Sequence, residues 1–139
     1  MIVADTGGIY ALYDAGDRHH EAARIILEST SEPLIVPLPV VAEVDYFLTR
    51  YLGVDAALDF LDSLRSGAFA LDHLKTGDLD FCYKLIKQYQ DLALGFVDAS
   101  VLAVAERLGT RTILTLDHRD FRAVGSNSHG PLVLYPADL

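Results

Sequence analysis

The chain has 139 residues, of which 51% are hydrophobic and 22% charged, and its formal net charge is −9. This length and apolar content exclude a disordered chain and favour one domain, residues 1–139, around a single core. The acidic balance argues against broad electrostatic attachment to nucleic acid, although a cation held among carboxylates would offset part of that charge locally. No apolar run approaches the roughly 18 residues of a membrane span, and the N-terminus carries neither the basic nor the long apolar segment of a signal peptide. Cys82 is the only cysteine, so no internal disulfide can form, which fits a reducing cytoplasm.

In chain order, Ile2-Val3-Ala4 predicts a first strand that ends at Asp5. A short helix with Ile9, Leu12 and Tyr13 follows. Asp17 can cap a second helix whose Ala22, Ala23, Ile26 and Leu27 face inward. Leu34-Ile35-Val36 reads as a second strand, closed by Pro37 and Pro39. Val40, Val44, Phe47, Leu48 and Tyr51 recur at helical spacing and give a third helix over about 40–52, with Gly53 able to end it. Val54, Ala57, Leu58, Leu61 and Leu64 mark one face of a fourth helix. The apolar stripes of these two helices exceed what one sheet layer needs, so they either pack on each other or offer a surface to a partner.

Ala68-Phe69-Ala70-Leu71 predicts another strand, and Leu79, Cys82, Leu85, Ile86 and Tyr89 a fifth helix with Cys82 in the core. A sixth helix runs over about 97–108, before Gly109. Thr112-Ile113-Leu114-Thr115-Leu116 is a strand that stops at Asp117, and Leu132-Val133-Leu134-Tyr135 is a last, edge strand. No repeat or linker interrupts the alternation. It predicts an α/β domain with a mainly parallel sheet.

Four acids stand where acids are costly. Asp5 and Asp117 follow apolar strands directly, and ligands in open α/β sheets bind beyond the carboxyl ends of strands. Glu43 borders the apolar stripe of the third helix. Asp98 lies three residues before Val101 and four before Leu102, near the start of its helix and turned toward the buried side. Each has a bland explanation as a helix cap, a dipole partner or a solvated acid. Together they suggest a divalent metal, because carboxylates repel one another and burying one unpaired costs several kcal/mol. Hard Mg²⁺ or Mn²⁺ prefers such oxygen ligands, and metal-assisted phosphodiester hydrolysis is the leading use of such a cluster.

Four ordered segments carry a resemblance: Val3-Ala4-Asp5-Thr6, Val41-Ala42-Glu43-Val44, Asp98 through Ala105 followed by Leu108-Gly109, and Leu114-Thr115-Leu116-Asp117-His118-Arg119-Asp120-Phe121. In order and spacing the chain resembles PIN-domain ribonucleases, in particular the VapC-type toxins of bacterial toxin–antitoxin pairs. The resemblance implies a three-layer α/β/α sandwich with a parallel sheet. It implies a Mg²⁺- or Mn²⁺-dependent endoribonuclease, usually a homodimer bound by a small antitoxin. Asp5, Glu43, Asp98 and Asp117 match the family's acidic positions, with Asp5, Asp98 and Asp117 as metal contacts. Thr6 matches its hydroxyl residue, and Asp120 and Asp91 stand as auxiliary acids. Gly7-Gly8 replaces a better helix former and is expected to loosen the first turn. Arg119 and Arg122 are candidates to contact RNA phosphate or to be simply solvated. His118 and the adjacent His19 and His20 read better as turn and surface residues than as ligands.

Rival readings fit less well. A receiver domain wants an acid pair early and a late lysine, yet no lysine follows Lys87. A haloacid-dehalogenase-like phosphatase wants an acid where Gly7 stands. A dinucleotide fold wants G-x-G-x-x-G after its first strand. The remaining alternative is a catalytically silent PIN-like module that only binds protein or RNA, against which the intact acids argue.

Overall fold

The computed structural model describes residues 1–139. Five strands, β1 (Val3–Ala4), β2 (Leu34–Pro37), β3 (Phe69–Asp72), β4 (Thr112–Leu114) and β7 (Val133–Tyr135), form one sheet in the order β3-β2-β1-β4-β7. All its pairings are parallel. Val3 is in register with both Ile35 and Ile113, so β1 is the central strand. All four β2 residues are buried, as the continuous apolar run of a strand covered on both faces requires. The helical layers are built from α1 (Thr6–Tyr13), α2 (His20–Ser29), α3 (Leu38–Tyr51), α4 (Val54–Arg65), α5 (Thr76–Gln88), α6 (Phe96–Leu108) and α7 (His118–Val124). The architecture is the expected three-layer α/β/α sandwich. No helix is long and apolar enough to cross a membrane.

Strand order locates the site. The chain steps outward from β1 through β2 to β3, then returns to β4 on the other side of β1. Adjacent crossovers therefore diverge between β1 and β4, leaving a crevice at their carboxyl ends. Helix α6 packs on β1, β2 and β4, and Ala99 through Ala105 are buried without a break. Such a helix is a core element, apolar there but for Ser100, whose hydroxyl donates to Val97 O, and only its first turn reaches the crevice. At its other end Arg107 donates to Asp72 (2.6 Å) and Asp78 (3.0 Å), tying α6 to the end of β3 and the start of α5.

Several sequence expectations need correction. β4 ends at Leu114, although the Thr115 N–H still donates to Tyr135 O at 2.9 Å, and Asp117 stands at the N-cap of α7, not directly at a strand end. The helix α7 and the antiparallel hairpin β5 (Ser126–Asn127) and β6 (Gly130–Pro131) were not foreseen. Helix α3 starts at Leu38, and Pro39 sits in its first turn, where the missing N–H has no intrahelical partner to lose. Asp17 does not cap α2, which begins at His20; its carboxylate takes the His19 N–H at 2.7 Å and closes the preceding turn. In α4 the buried residues are Ala57 and Phe60, leaving Val54, Leu58 and Leu61 exposed although α3 and α4 do pack together. Leu79 of α5 is likewise exposed. Gly8 tightens the first turn's packing: a Cβ there would lie 2.7 Å from the Leu114 carbonyl oxygen, so α1 approaches β4 only because the side chain is absent.

Candidate metal centre

Asp5 ends β1 and is the N-cap residue of α1, yet its carboxylate does not take that helix's cap hydrogen bond. Its backbone is fixed by donation to Leu114 O at 2.8 Å, and its side chain accepts from Thr115 Oγ1 at 3.0 Å. The same hydroxyl accepts the Asp117 N–H at 3.0 Å. Thr115, fully buried, thus couples the first acid to the loop that carries the fourth. Asp117 also stands at an N-cap position without capping. Both residues are released from the bland role that their positions suggested.

Asp98 lies in the first turn of α6, and Glu43, half-buried, lies in the second turn of α3. Carboxylate oxygens of Asp98, Asp117 and Asp120 fall within 4.8 Å of one another. Asp5, Glu43, Asp98 and Asp117 line one cavity of about 810 Å³, with Thr6, Gly7 and Leu116 beside them. Four segments separated by up to 112 residues of sequence therefore deliver their acids to one crevice.

The electrostatics show the cost. Asp5 is 5% exposed. Burial, with repulsion from Asp98 and Glu43, pushes its pKa from 3.8 up to about 7, against the opposing hydrogen bonds from the Thr6 backbone and Thr115. Burial also raises Asp98, with repulsion from Asp117, Asp120 and Glu43 adding to it and the Gly95 backbone N–H opposing. No lysine or arginine lines the cavity to neutralise this charge. A divalent cation is the group this donor set fits: every donor is a hard oxygen. Thr6 Oγ1 adds an independent sign, since it is buried in the same cavity wall and has no hydrogen-bond partner.

The auxiliary residues divide. Asp120 joins the tight carboxylate cluster. Asp91 is exposed on the turn Gln90–Leu92 and does not line the cavity. Arg119 is exposed on α7, next to Asp120. Arg122 is exposed and pairs with Asp138. His118, expected in a turn, opens α7 with Nε2 buried and unpartnered, and His20, expected exposed, has Nδ1 2.7 Å from Ala11 O. Thr115, Tyr10, Phe47, Tyr51 and Phe96 at this site were not foreseen as site residues. A hydroxyl two residues before Asp117 was the only available sign of Thr115, and a threonine in a strand is too common to mark a site.

Residues 2–127 match the PIN domain family. The chain belongs to the PIN-domain family. This PIN protein is 35% identical to Ribonuclease VapC26 of Mycobacterium tuberculosis over 135 residues, which is 97% of this chain and 100% of that protein. Its fold is similar to that of M. tuberculosis VapC20, described as a toxin cleaving the sarcin-ricin loop. There the TM-score is 0.83 at 25% identity, over 94% of this PIN chain and 100% of the other. A toxin–antitoxin complex from Klebsiella pneumoniae contains a chain with the same fold, at TM-score 0.70 and 19% identity, covering 89% of this chain and 92% of that one.

Proposed function

We propose that this PIN-domain protein is a metal-dependent endoribonuclease and the toxin of a toxin–antitoxin pair, acting in the cytoplasm. The observation that carries the reading is the convergence of Asp5, Glu43, Asp98 and Asp117 on one cavity that holds no side-chain cation. The relationship to Ribonuclease VapC26 over nearly the whole chain supports RNA as the substrate.

Asp5, Asp98 and Asp117 would hold a divalent ion, Mg²⁺ or Mn²⁺, with Asp120 completing the acidic ring. Such an ion, when bound, lowers the pKa of a coordinated water and stabilises charge on the phosphate. Thr115 ties the Asp5 carboxylate to the Asp117 backbone through one hydroxyl. Glu43, which lines the cavity from a different helix, would orient the attacking water and accept its proton. Thr6 Oγ1 has a free donor for a phosphate oxygen or a metal-bound carboxylate. Arg119, exposed next to Asp120, would contact a flanking phosphate, whereas Arg122 is committed to Asp138 and tethers α7 to the C-terminal turn.

The exposed row Val54, Leu58 and Leu61 on α4 supports a second copy of the chain or a small antitoxin as partner. The acidic cavity suits a basic segment of that antitoxin. Purified protein, freed of partner, should cleave RNA with Mg²⁺ or Mn²⁺ and stop on addition of EDTA. Cleavage that persists in EDTA, or none with either ion, would overturn the reading.

A further inference from the structure

The acids occupy only part of the cavity. A site of about 810 Å³ has the size of an organic ligand pocket, far more than one hydrated ion fills. Much of the remaining lining is aromatic: Tyr10 from α1, Phe47 and Tyr51 from α3, and Phe96 from α6. Phe47 and Tyr51 lie one helical turn apart with ring planes only 21° from parallel and centroids 6.1 Å apart. Arg50 lies over the Tyr51 ring at 6.0 Å. Tyr51 is 65% exposed and Phe96 44%, so both side chains can be reached from solvent. Isolated exposed aromatics need no explanation, but several from three helices around one acidic floor do.

The charge balance says what the rings can receive. Phosphate attraction is the usual source of affinity for nucleic acid, and it scales with the lysines and arginines that face the backbone. This cavity has none, and the chain carries −9. Beyond the ion held by the acids and Arg119 outside the cavity, affinity must come from a different part of the nucleotide. Stacking of a base on an aromatic ring contributes about 1–3 kcal/mol per base and needs no cation. It also requires unpaired bases, because a base within a duplex has both faces covered by its neighbours.

We propose that Phe47, Tyr51 and Phe96 form a base-stacking subsite that receives unpaired nucleobases next to the cleaved phosphate. The proposal rests on the endoribonuclease reading above. It makes substrate affinity depend on the bases that flank the cut, through these three rings.

The test begins by mapping the strongest metal-dependent cut that the parent protein makes in total cellular RNA. A short single-stranded RNA spanning that cut is then synthesised intact and with single abasic riboses on either side. Tyr51→Leu, Phe47→Leu and Phe96→Leu are compared with Tyr51→Phe, which keeps the ring. Tyr51 and Phe96 are exposed enough for their variants to fold, and a melting curve for each protein verifies this. At least one Leu variant should raise KM about tenfold with a much smaller change in kcat, while Tyr51→Phe stays near the parent. The same rise should appear in the parent with one of the abasic RNAs, and combining ring loss with base loss should add little further. A KM within twofold of the parent for all three Leu variants would overturn the subsite, as would strictly additive ring and base losses. So would Leu variants that lose a protein partner while keeping their KM for RNA, because the rings would then serve a peptide. If the parent makes no metal-dependent cut at all, the nuclease reading itself falls, and that result is visible before any variant is compared.

Discussion

Replacing Asp5 by Asn should change stability in a way that depends on pH. The Asp5 pKa is raised from 3.8 to about 7 by burial and by the neighbouring Asp98 and Glu43. Between those two values the folded metal-free protein holds a proton that the unfolded chain has released. Its stability therefore falls as pH rises from about 4 to 7, and the loss is complete above pH 7. The displacement corresponds to a ceiling of about 4 kcal/mol. More than half of it develops between pH 5 and pH 8, on the order of 2 kcal/mol. Asn carries no charge at either pH and still offers an oxygen to Thr115 Oγ1. Relative to the parent, Asp5→Asn should thus gain about 2 kcal/mol between pH 5 and pH 8, or roughly 7 °C in Tm for a chain of this length. Melting curves in EDTA at both pH values measure it. Excess Mn²⁺ should reverse the ranking at pH 8, because the ion stabilises the folded parent preferentially. A stability difference between the two proteins that is the same at pH 5 and pH 8 would refute the reasoning.

Asp98→Asn should abolish cleavage, by at least about 100-fold, yet leave the metal-free protein as stable as the parent or more so, since Asn can still accept from the Gly95 N–H; a mutant that unfolds in EDTA would make Asp98 a structural cap. Asp120→Asn should weaken Mn²⁺ binding measurably in calorimetry, whereas Asp91→Asn, outside the cavity, should not; equal effects would contradict the placement. Thr115→Val removes one hydroxyl from a buried site and leaves the Asp117 N–H unpaired, so it should cost about 1–3 kcal/mol in urea unfolding and loosen metal binding as well. Unchanged metal affinity in a destabilised Thr115→Val protein would restrict that residue to the fold.

The alternation of strands and helices was legible because parallel strands are continuous apolar runs and their crossovers are amphipathic. The site was legible in part for the same reason. Asp5 and Asp98 interrupt patterns that are otherwise apolar, and an acid in such a place needs a partner. Asp117 was found for a reason that was partly wrong: Thr115 and Leu116 look like strand, but the regular strand ends at Leu114, Thr115 keeps one bond to β7, and the acid reaches the crevice from an N-cap. The buried face of α4 was misread because Leu58 and Leu61 follow the helical period as well as Ala57 and Phe60 do. Only the tertiary context, with Phe60 against Tyr13 and Phe69, decides which stripe goes inside. The aromatic wall was hidden for the converse reason. Phe47 and Tyr51 fall on a core-like stripe, and nothing in their spacing shows that the crevice opens beside them. Gly8 looked like a weak helix former because the backbone it touches is more than 100 residues away in sequence.

The account turns on one claim, that the converging acids hold the ion with which RNA is cut. A titration of partner-free protein with Mn²⁺, read in parallel as heat of binding and as rate of RNA cleavage, tests it directly. For the parent the two curves should rise together and saturate over the same concentration range, and in Asp98→Asn both should be lost while the protein stays folded. Binding heat that survives in Asp98→Asn, or cleavage that rises without any binding to the parent's acids, would contradict the account.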